Sequence, residues 1–535
     1  MNIQTKVIDN FRGSMTQYLD GDLNSGFSYV QNSAGANPFK SPGNLTWSSA
    51  PSRIDPDETV ITDLIMAGKE RVESGILYVY AIGHLGRLYK IQVNDPATNN
   101  PNYDNPVLLT TLTIGSPTFT RGGFMDFFGS TERIYIGHDM GVTRINFDGT
   151  SETVVGVAGS WIQTVPRPLK QFIGRLYAGN GNNIAEIDST ATVTDYTKLD
   201  PSFPDNTQVR DMDVSPDGTY LQIVVSRLAL EDITSANQDT SFFANSESYI
   251  FKWNGTDTGY TSYDTFPSFS LTANTMFQNY QYTFGYDQFG AAVYSPLDKK
   301  LSMQESLSPL PGAVSSTGNL VTWMFPLWWE GFMETDYCVL GSNDFEIGPG
   351  YWDLFFQLAT EPEIDVIQTP LSLAVSNLGV GSSSNGYTNN IVSTSKTYFS
   401  TLEISATTTK YKFYKWIFSP SPNMPQTVSS LINAIYQTQT QLFSKKIQVK
   451  EIRVYGEPWI TDNSFRIDLI GSNGAVMTNG SQTFIAGTNL TIGNDFAWYN
   501  PGIAPTYALG LWIENLGTAN FTINKIEIDY VAGGK

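Results

Sequence analysis

The chain has 535 residues and a formal net charge of −20, and only 15% of its residues are charged, against about 25% in an average soluble protein. That length suits two to four domains rather than one. The acidity opposes general binding to nucleic-acid phosphate, and the single cysteine, Cys338, excludes an intramolecular disulfide or a Cys-based zinc site.

Ser, Thr, Asn, Gln and Gly stand where charged residues usually would, and aromatic residues reach 13%. Such a composition favours strands, turns and contact surfaces over exposed helices. The opening Met1-Asn2-Ile3-Gln4-Thr5-Lys6 lacks the apolar core of a signal peptide. The most apolar stretch, Leu320 to Phe332, is interrupted by Thr322, Pro326 and Glu330 and falls short of the roughly 20 residues that span a bilayer, so no membrane insertion is expected.

Residues 1–60 read as an irregular arm. Glycines and prolines recur too often for long regular elements, yet Phe11, Leu19, Phe27, Phe39, Leu45 and Trp47 are spaced through it. An arm with that many large apolar residues must pack on something, either its own domain or a neighbouring subunit.

From residue 61 a strand, glycine turn, strand pattern repeats. Ile76–Tyr80 leads through Gly83-His84-Leu85-Gly86 into Arg87–Ile91; Arg133–Ile136 leads through Gly137-His138-Asp139-Met140-Gly141 into Val142–Phe147; Gly174–Ala178 leads through Gly179–Asn183 into Ile184–Asp188. Weaker copies surround Val214–Tyr220, Tyr249–Trp253 and Tyr282–Tyr294. Anchor tyrosines recur at the interval of a four-stranded propeller blade, and Asp213-Val214-Ser215-Pro216-Asp217-Gly218 matches a turn common in such folds. The expected fold is therefore all-β: a β-propeller of five to seven blades over residues 61–400, with the irregular arm before it.

Residues 301–400 crowd Trp323, Phe325, Trp328, Trp329 and Trp352 together, and Gly379–Gly386 reads as a loop. A connector over 401–445 is expected to hold one helix, because Val428, Leu431, Ile432, Ile435 and Tyr436 share a helical face after Pro425. Residues 446–535 alternate apolar and polar at Phe465–Ile470 and Phe521–Tyr530, as in a C-terminal β-sandwich that is jelly-roll-like and long enough to fold alone.

Catalytic and metal chemistry finds little support. Two histidines, His84 and His138, cannot build a zinc triad or a Ser-His-Asp triad, and their matching places in successive hairpin turns mark a repeat position with similar surroundings. Glu330, Glu334, Asp336 and Asp353 lie near the tryptophans, as in sugar-cleaving sites, but with 51 acidic residues such proximity is expected by chance. Asp148-Gly149, Asp217-Gly218 and Asn254-Gly255 are turns rather than calcium loops. No enzyme, cofactor or metal is expected. Trp323, Trp328, Trp329 and Trp352 remain as candidates for a subunit interface or a glycan contact.

Three runs in the arm, Val7–Gly13, Gly21–Phe27 and Phe39–Trp47, resemble the opening of tail-associated virion proteins of tailed bacteriophages. The resemblance covers about fifty residues and supplies no catalytic motif. It implies a structural protein of the virion tail, assembled in the host cytoplasm. It best suits a ring-forming nozzle or hub, a homo-oligomer for which six copies would serve, joined to other tail proteins and passing DNA only as cargo. The alternative is a tail fibre, spike or adhesin that binds or cleaves host surface glycans.

Overall fold

The computed structural model describes residues 59–92, 105–119, 123–227, 246–303 and 435–533, apart from single positions and short turns within them, and separate strands elsewhere that are named below; between residues 284 and 434 and over 30–37 it describes backbone alone. No helix occurs among the described residues. The expected helix is replaced at its end by a strand, Ile435–Thr438, and its other positions, Val428, Leu431 and Ile432, lie outside the described residues. An apolar run this short fits a buried strand as well as a helix, and sheet pairing on both sides decides it.

Seven antiparallel four-stranded sheets follow one another along the chain. The first is Ile65–Glu73, Ile76–Gly83, Arg87–Gln92 and Asn105–Thr111. The second is Phe124–Phe128, Arg133–His138, Gly141–Ile145 and Thr153–Val154. The third is Leu169–Phe172, Arg175–Gly179, Ile184–Ile187 and Val193–Asp195, and the fourth is Gln208–Val214, Leu221–Ser226, Glu247–Trp253 and Ser262–Pro267. The fifth spans Ser270–Phe277 to Lys300–Met303, and the sixth Phe332–Glu334 to Glu363–Pro370.

The seventh sheet is composite. Asn390–Val392, Thr397–Ile404 and Thr409–Trp416 take their fourth strand from the arm, Ser52–Ile54, paired as Ile54 with Phe413 and Ser52 with Lys415. The first strand of this sheet packs on the first strand of the first sheet, and first strands continue side by side from the first sheet through the fifth. Seven such sheets make the blades of a β-propeller, a fold in which blades bury their faces on their neighbours. The sheets reach Trp416, beyond the expected limit at residue 400, and Ser52–Ile54 lies before the expected start at 61.

Close approach requires glycine where a second strand ends. A Cβ at Gly83 would lie 2.1 Å from an Asp63 carboxylate oxygen, and one at Gly137 would lie 2.2 Å from the Arg167 carbonyl oxygen. These two glycines precede the two histidines, so the turn motif legible in the sequence marks where an incoming loop presses on the blade.

Apart from the short pair Ala36–Asn37 and Thr46–Trp47, the remaining strands form one nine-stranded antiparallel sheet. One arm of it runs Ile3–Ile8, Ile523–Ala532, Gln441–Gly456, Phe496–Tyr499. The other runs Val30–Ala34, Ile435–Thr438, Thr506–Asn515, Ser464–Ile470, Val476–Ile485. Gln441–Gly456 pairs with both groups, and its register breaks between Leu442 and Ile447 where it passes from one to the other. A single core unites Val449, Ile452, Phe465, Ile467, Leu511, Ile513, Ile526 and Ile528 with Ile8, Phe11, Leu45 and Trp47 of the arm.

The arm is therefore part of the chain's own core rather than an appendage. Ile3 pairs with Val531, Leu45 bridges Ile523, and the fully buried Trp47 meets Phe521 at 5.5 Å between ring centroids. Residues 446–535 are expected to fold alone, yet strands before residue 446 and from the arm share their sheet and core.

Candidate functional site

Charged residues sit inside the apolar first strands of consecutive blades. Lys69 of the first blade is ion-paired with Asp126 of the second. Gln171 of the third donates to the same Asp126 oxygen at 3.2 Å. Lys170 of the third meets Asp213 of the fourth, Nζ to Oδ1 2.5 Å. Asp211 of the fourth accepts the backbone N–H of Asn274 in the fifth at 2.6 Å. Each junction between these five blades is thus bridged by at least one polar contact between first strands. A bulge between Val209 and Asp211 turns the fourth strand locally, as bulges do, and leaves Arg210 buried.

The Lys170 side chain keeps 37% of its full exposure. Burial opposes its charge, but Asp213 beside it more than compensates and its pKa is raised. Burial pushes Asp211 up to about 7, with Asp213 nearby adding to the effect and the Asn274 N–H opposing it. The belt consumes its own charge in bridges between blades and aligns no nucleophile with a base. Its chemistry is cohesion.

A second polar group locks the loops between blades two and three. The fully buried Arg167 donates to the Gly179 carbonyl at 2.8 Å, the Asn180 side-chain oxygen at 2.7 Å and the Ile162 carbonyl at 2.5 Å, and stacks on Trp161 at 4.7 Å. Burial lowers its pKa to about 9, which Asp139 partly resists.

The two histidines have unlike surroundings, contrary to the expectation of equivalent environments. His84 pairs with the buried carboxylate of Asp63, which also accepts the Leu85 N–H. His138 Nδ1 accepts the Met140 N–H at 3.3 Å, so its Nε2 carries the proton and donates to Thr143 at 3.0 Å. Burial, then Arg167, lowers the His138 pKa to about 3. The position repeats, as Asn180 does in the third blade's turn, but each blade uses it for a different local bond. No group of three His, Cys, Asp or Glu residues able to hold a metal occurs among the described residues.

Of the tryptophans proposed from sequence, Trp323, Trp328 and Trp329 lie outside the described residues, as do Glu330 and Asp336. Trp352 and Asp353 lie on the strand Tyr351–Thr360 of the sixth blade, with Trp352 opposite Asn343, and Glu334 ends the strand Phe332–Glu334. Nothing described brings these residues together.

A further surface was missed from sequence. On the outer face of the C-terminal sheet, Arg453 is ion-paired with Glu527 at 2.8 Å, Glu451 at 2.8 Å and Asp529. Lys525 reaches Glu527 at 2.9 Å and lies 4.1 Å from the Tyr455 ring, which packs on Phe496 at 5.1 Å. Beside them Trp498 is 55% exposed. The alternation of Arg453 and Tyr455 with buried Ile452 and Val454 is the one sequence signal of this face.

No family model and no curated protein matches the chain. Solved structures with a similar arrangement exist. The WD40 domain of Neurospora crassa Pan2 covers 71% of this chain, and 98% of its own length, at 7% identity and a TM-score of 0.38. A chain in the crystal structure of the Mitotic Checkpoint Complex covers 70%, and 90% of its own length, at 11% identity and a TM-score of 0.39. At such identity the likeness concerns fold alone.

Proposed function

We propose that this chain is a structural component of a bacteriophage tail, a ring-forming nozzle or hub-like protein that mediates assembly and serves as an attachment point for fibres. The observation that carries the reading is the course of the arm. The segment that resembles the opening of tail virion proteins enters the C-terminal core at Ile8, Phe11, Leu45 and Trp47, and its last strand, Ser52–Ile54, completes the seventh blade. One segment thus ties two β modules into a mechanically continuous body, as a load-bearing virion component requires.

The belt and the Arg167 lock support the same reading, because their polar groups join neighbouring blades. Within this proposal the nine-stranded sheet folds over its single core as a jelly-roll-like sandwich, the protein resides in the virion tail after assembly in the host cytoplasm, and its partners are copies of itself and other tail proteins. Mass spectrometry of purified particles tests it: the chain is expected among the virion proteins in near-stoichiometric amount, and its absence from particles sinks the proposal.

A second reading, a fibre or spike that binds host glycans, draws on exposed Trp498 beside Tyr455 and Phe496, since aromatic faces stack on sugar rings. A glycan array with the full chain separates the two readings, because only the second expects a binding signal that Trp498→Ala removes.

A further inference from the structure

Among the described strands, the C-terminal sheet has two edges without a pairing partner in one layer. In the order Ile3–Ile8, Ile523–Ala532, Gln441–Gly456, Phe496–Tyr499, every neighbour is antiparallel, and no other described strand pairs with the far side of the first or the last. Open edges present unpaired N–H and C=O groups, and proteins ordinarily guard them with charge, proline or a covering element. The first edge holds one such charge, Lys6, and both edges also carry apolar side chains. On the outer face the first edge shows Ile3 at 63% and Val7 at 41% exposure, and the last shows Trp498. The cluster of Arg453, Glu527 and Asp529 lies in the middle of the layer, and Lys6 is the single charge on the first edge strand.

Strand direction makes these edges complementary. Three antiparallel steps separate them, so Phe496–Tyr499 runs opposite to Ile3–Ile8. A second copy rotated about an axis along the strands presents its Ile3–Ile8 antiparallel to Phe496–Tyr499 of the first, with both outer faces on the same side. No copy has to be turned over. The contact uses two different patches, a heterologous arrangement, which makes a ring where the rotation from copy to copy closes.

We propose that copies of this chain join head to tail by antiparallel pairing of Ile3–Ile8 in one copy with Phe496–Tyr499 in the next, making this layer of the sheet continuous from copy to copy around a ring. Val7 and Ile3 of one copy then cover Trp498 of its neighbour. The proposal rests on the ring-forming reading above and names the surface that builds the ring.

Light scattering on the full chain tests it with Val7→Lys and Trp498→Glu, each of which changes an exposed side chain. Wild type is expected as a closed oligomer, and each variant alone at the single-chain mass of 59.1 kDa with an unchanged unfolding temperature. Ile3→Lys replaces Val7→Lys should the latter unfold early. An equimolar mixture of the two variants is expected to form dimers, because one intact edge of each kind remains. A monomeric wild type, or variants that still assemble alone, overturns the pairing. Assembly of Trp498→Glu alone together with a monomeric Val7→Lys also overturns it, because that pattern marks two copies of Ile3–Ile8 meeting symmetrically. Absence from virions with an intact ring in solution refutes the tail reading and leaves the pairing standing; presence in virions with a monomeric wild type does the reverse.

Discussion

Lys170 on the third blade and Asp213 on the fourth meet across the blade boundary with Nζ and Oδ1 2.5 Å apart. Together with the Lys69–Asp126, Gln171–Asp126 and Asp211–Asn274 contacts they join five blades at their first strands. Lys170→Met removes the cation and leaves Asp211 and Asp213 facing each other. The partial exposure of Lys170 tempers the loss, so unfolding in urea is expected to show about 1–3 kcal/mol of destabilisation. A midpoint unchanged from wild type would show the bridge to be incidental.

Arg167 is expected to be the costliest single polar residue to remove. Arg167→Ala takes a donor from the Gly179 and Ile162 carbonyls and one of the two donors to the Asn180 side-chain oxygen, which keeps the Ile162 N–H, and each buried acceptor left without a partner costs about 1–3 kcal/mol. Arg167→Lys keeps the charge but not the fork and should recover only part of the loss in the same denaturation experiment.

Two groups predict opposite responses to pH. His138 has a pKa lowered to about 3 against about 6.5 unfolded, so the unfolded chain binds more protons between those values. Its contribution is complete above pH 6.5 and is lost as pH falls toward 3, with a slope of up to about 1.4 kcal/mol per pH unit. Asp211 is the reverse: raised to about 7 from about 3.9 unfolded, it favours the fold when protonated and opposes it increasingly as pH rises from 4 to 7. His138→Gln should flatten the acid limb of unfolding temperature against pH. Asp211→Asn should raise stability at pH 8 while leaving that limb in place. Unchanged profiles in both variants would contradict these environments.

Trp47 tests the role of the arm. It is fully buried against Phe521 in the C-terminal core, 474 positions away in sequence numbering as given by residues 47 and 521. Trp47→Ala is expected to cost about 3–5 kcal/mol, and a fragment beginning at residue 435 should lack a cooperative thermal transition. A fragment that melts cooperatively at the wild-type temperature would return the arm to the status of an appendage.

The sequence determined by itself what depends on neighbours along the chain. Alternation with glycine turns at Gly83–Gly86, Gly137–Gly141 and Gly179–Asn183 made the hairpins legible, because a two-residue period and a tight turn are local properties. The all-β class followed from composition for the same reason. Only the tertiary structure decided the number of blades, the capture of Ser52–Ile54 by Phe413–Lys415, the pairing of Ile3 with Val531 and the bridge from Lys170 to Asp213. It also turned Ile435 and Tyr436 from an expected helix face into a strand between Val30–Ala34 and Thr506–Asn515. In each case the partner lies far along the chain. Cross-strand hydrogen bonds and packing at long range carry no spacing rule, and where they conflict with local periodicity their larger buried contact prevails.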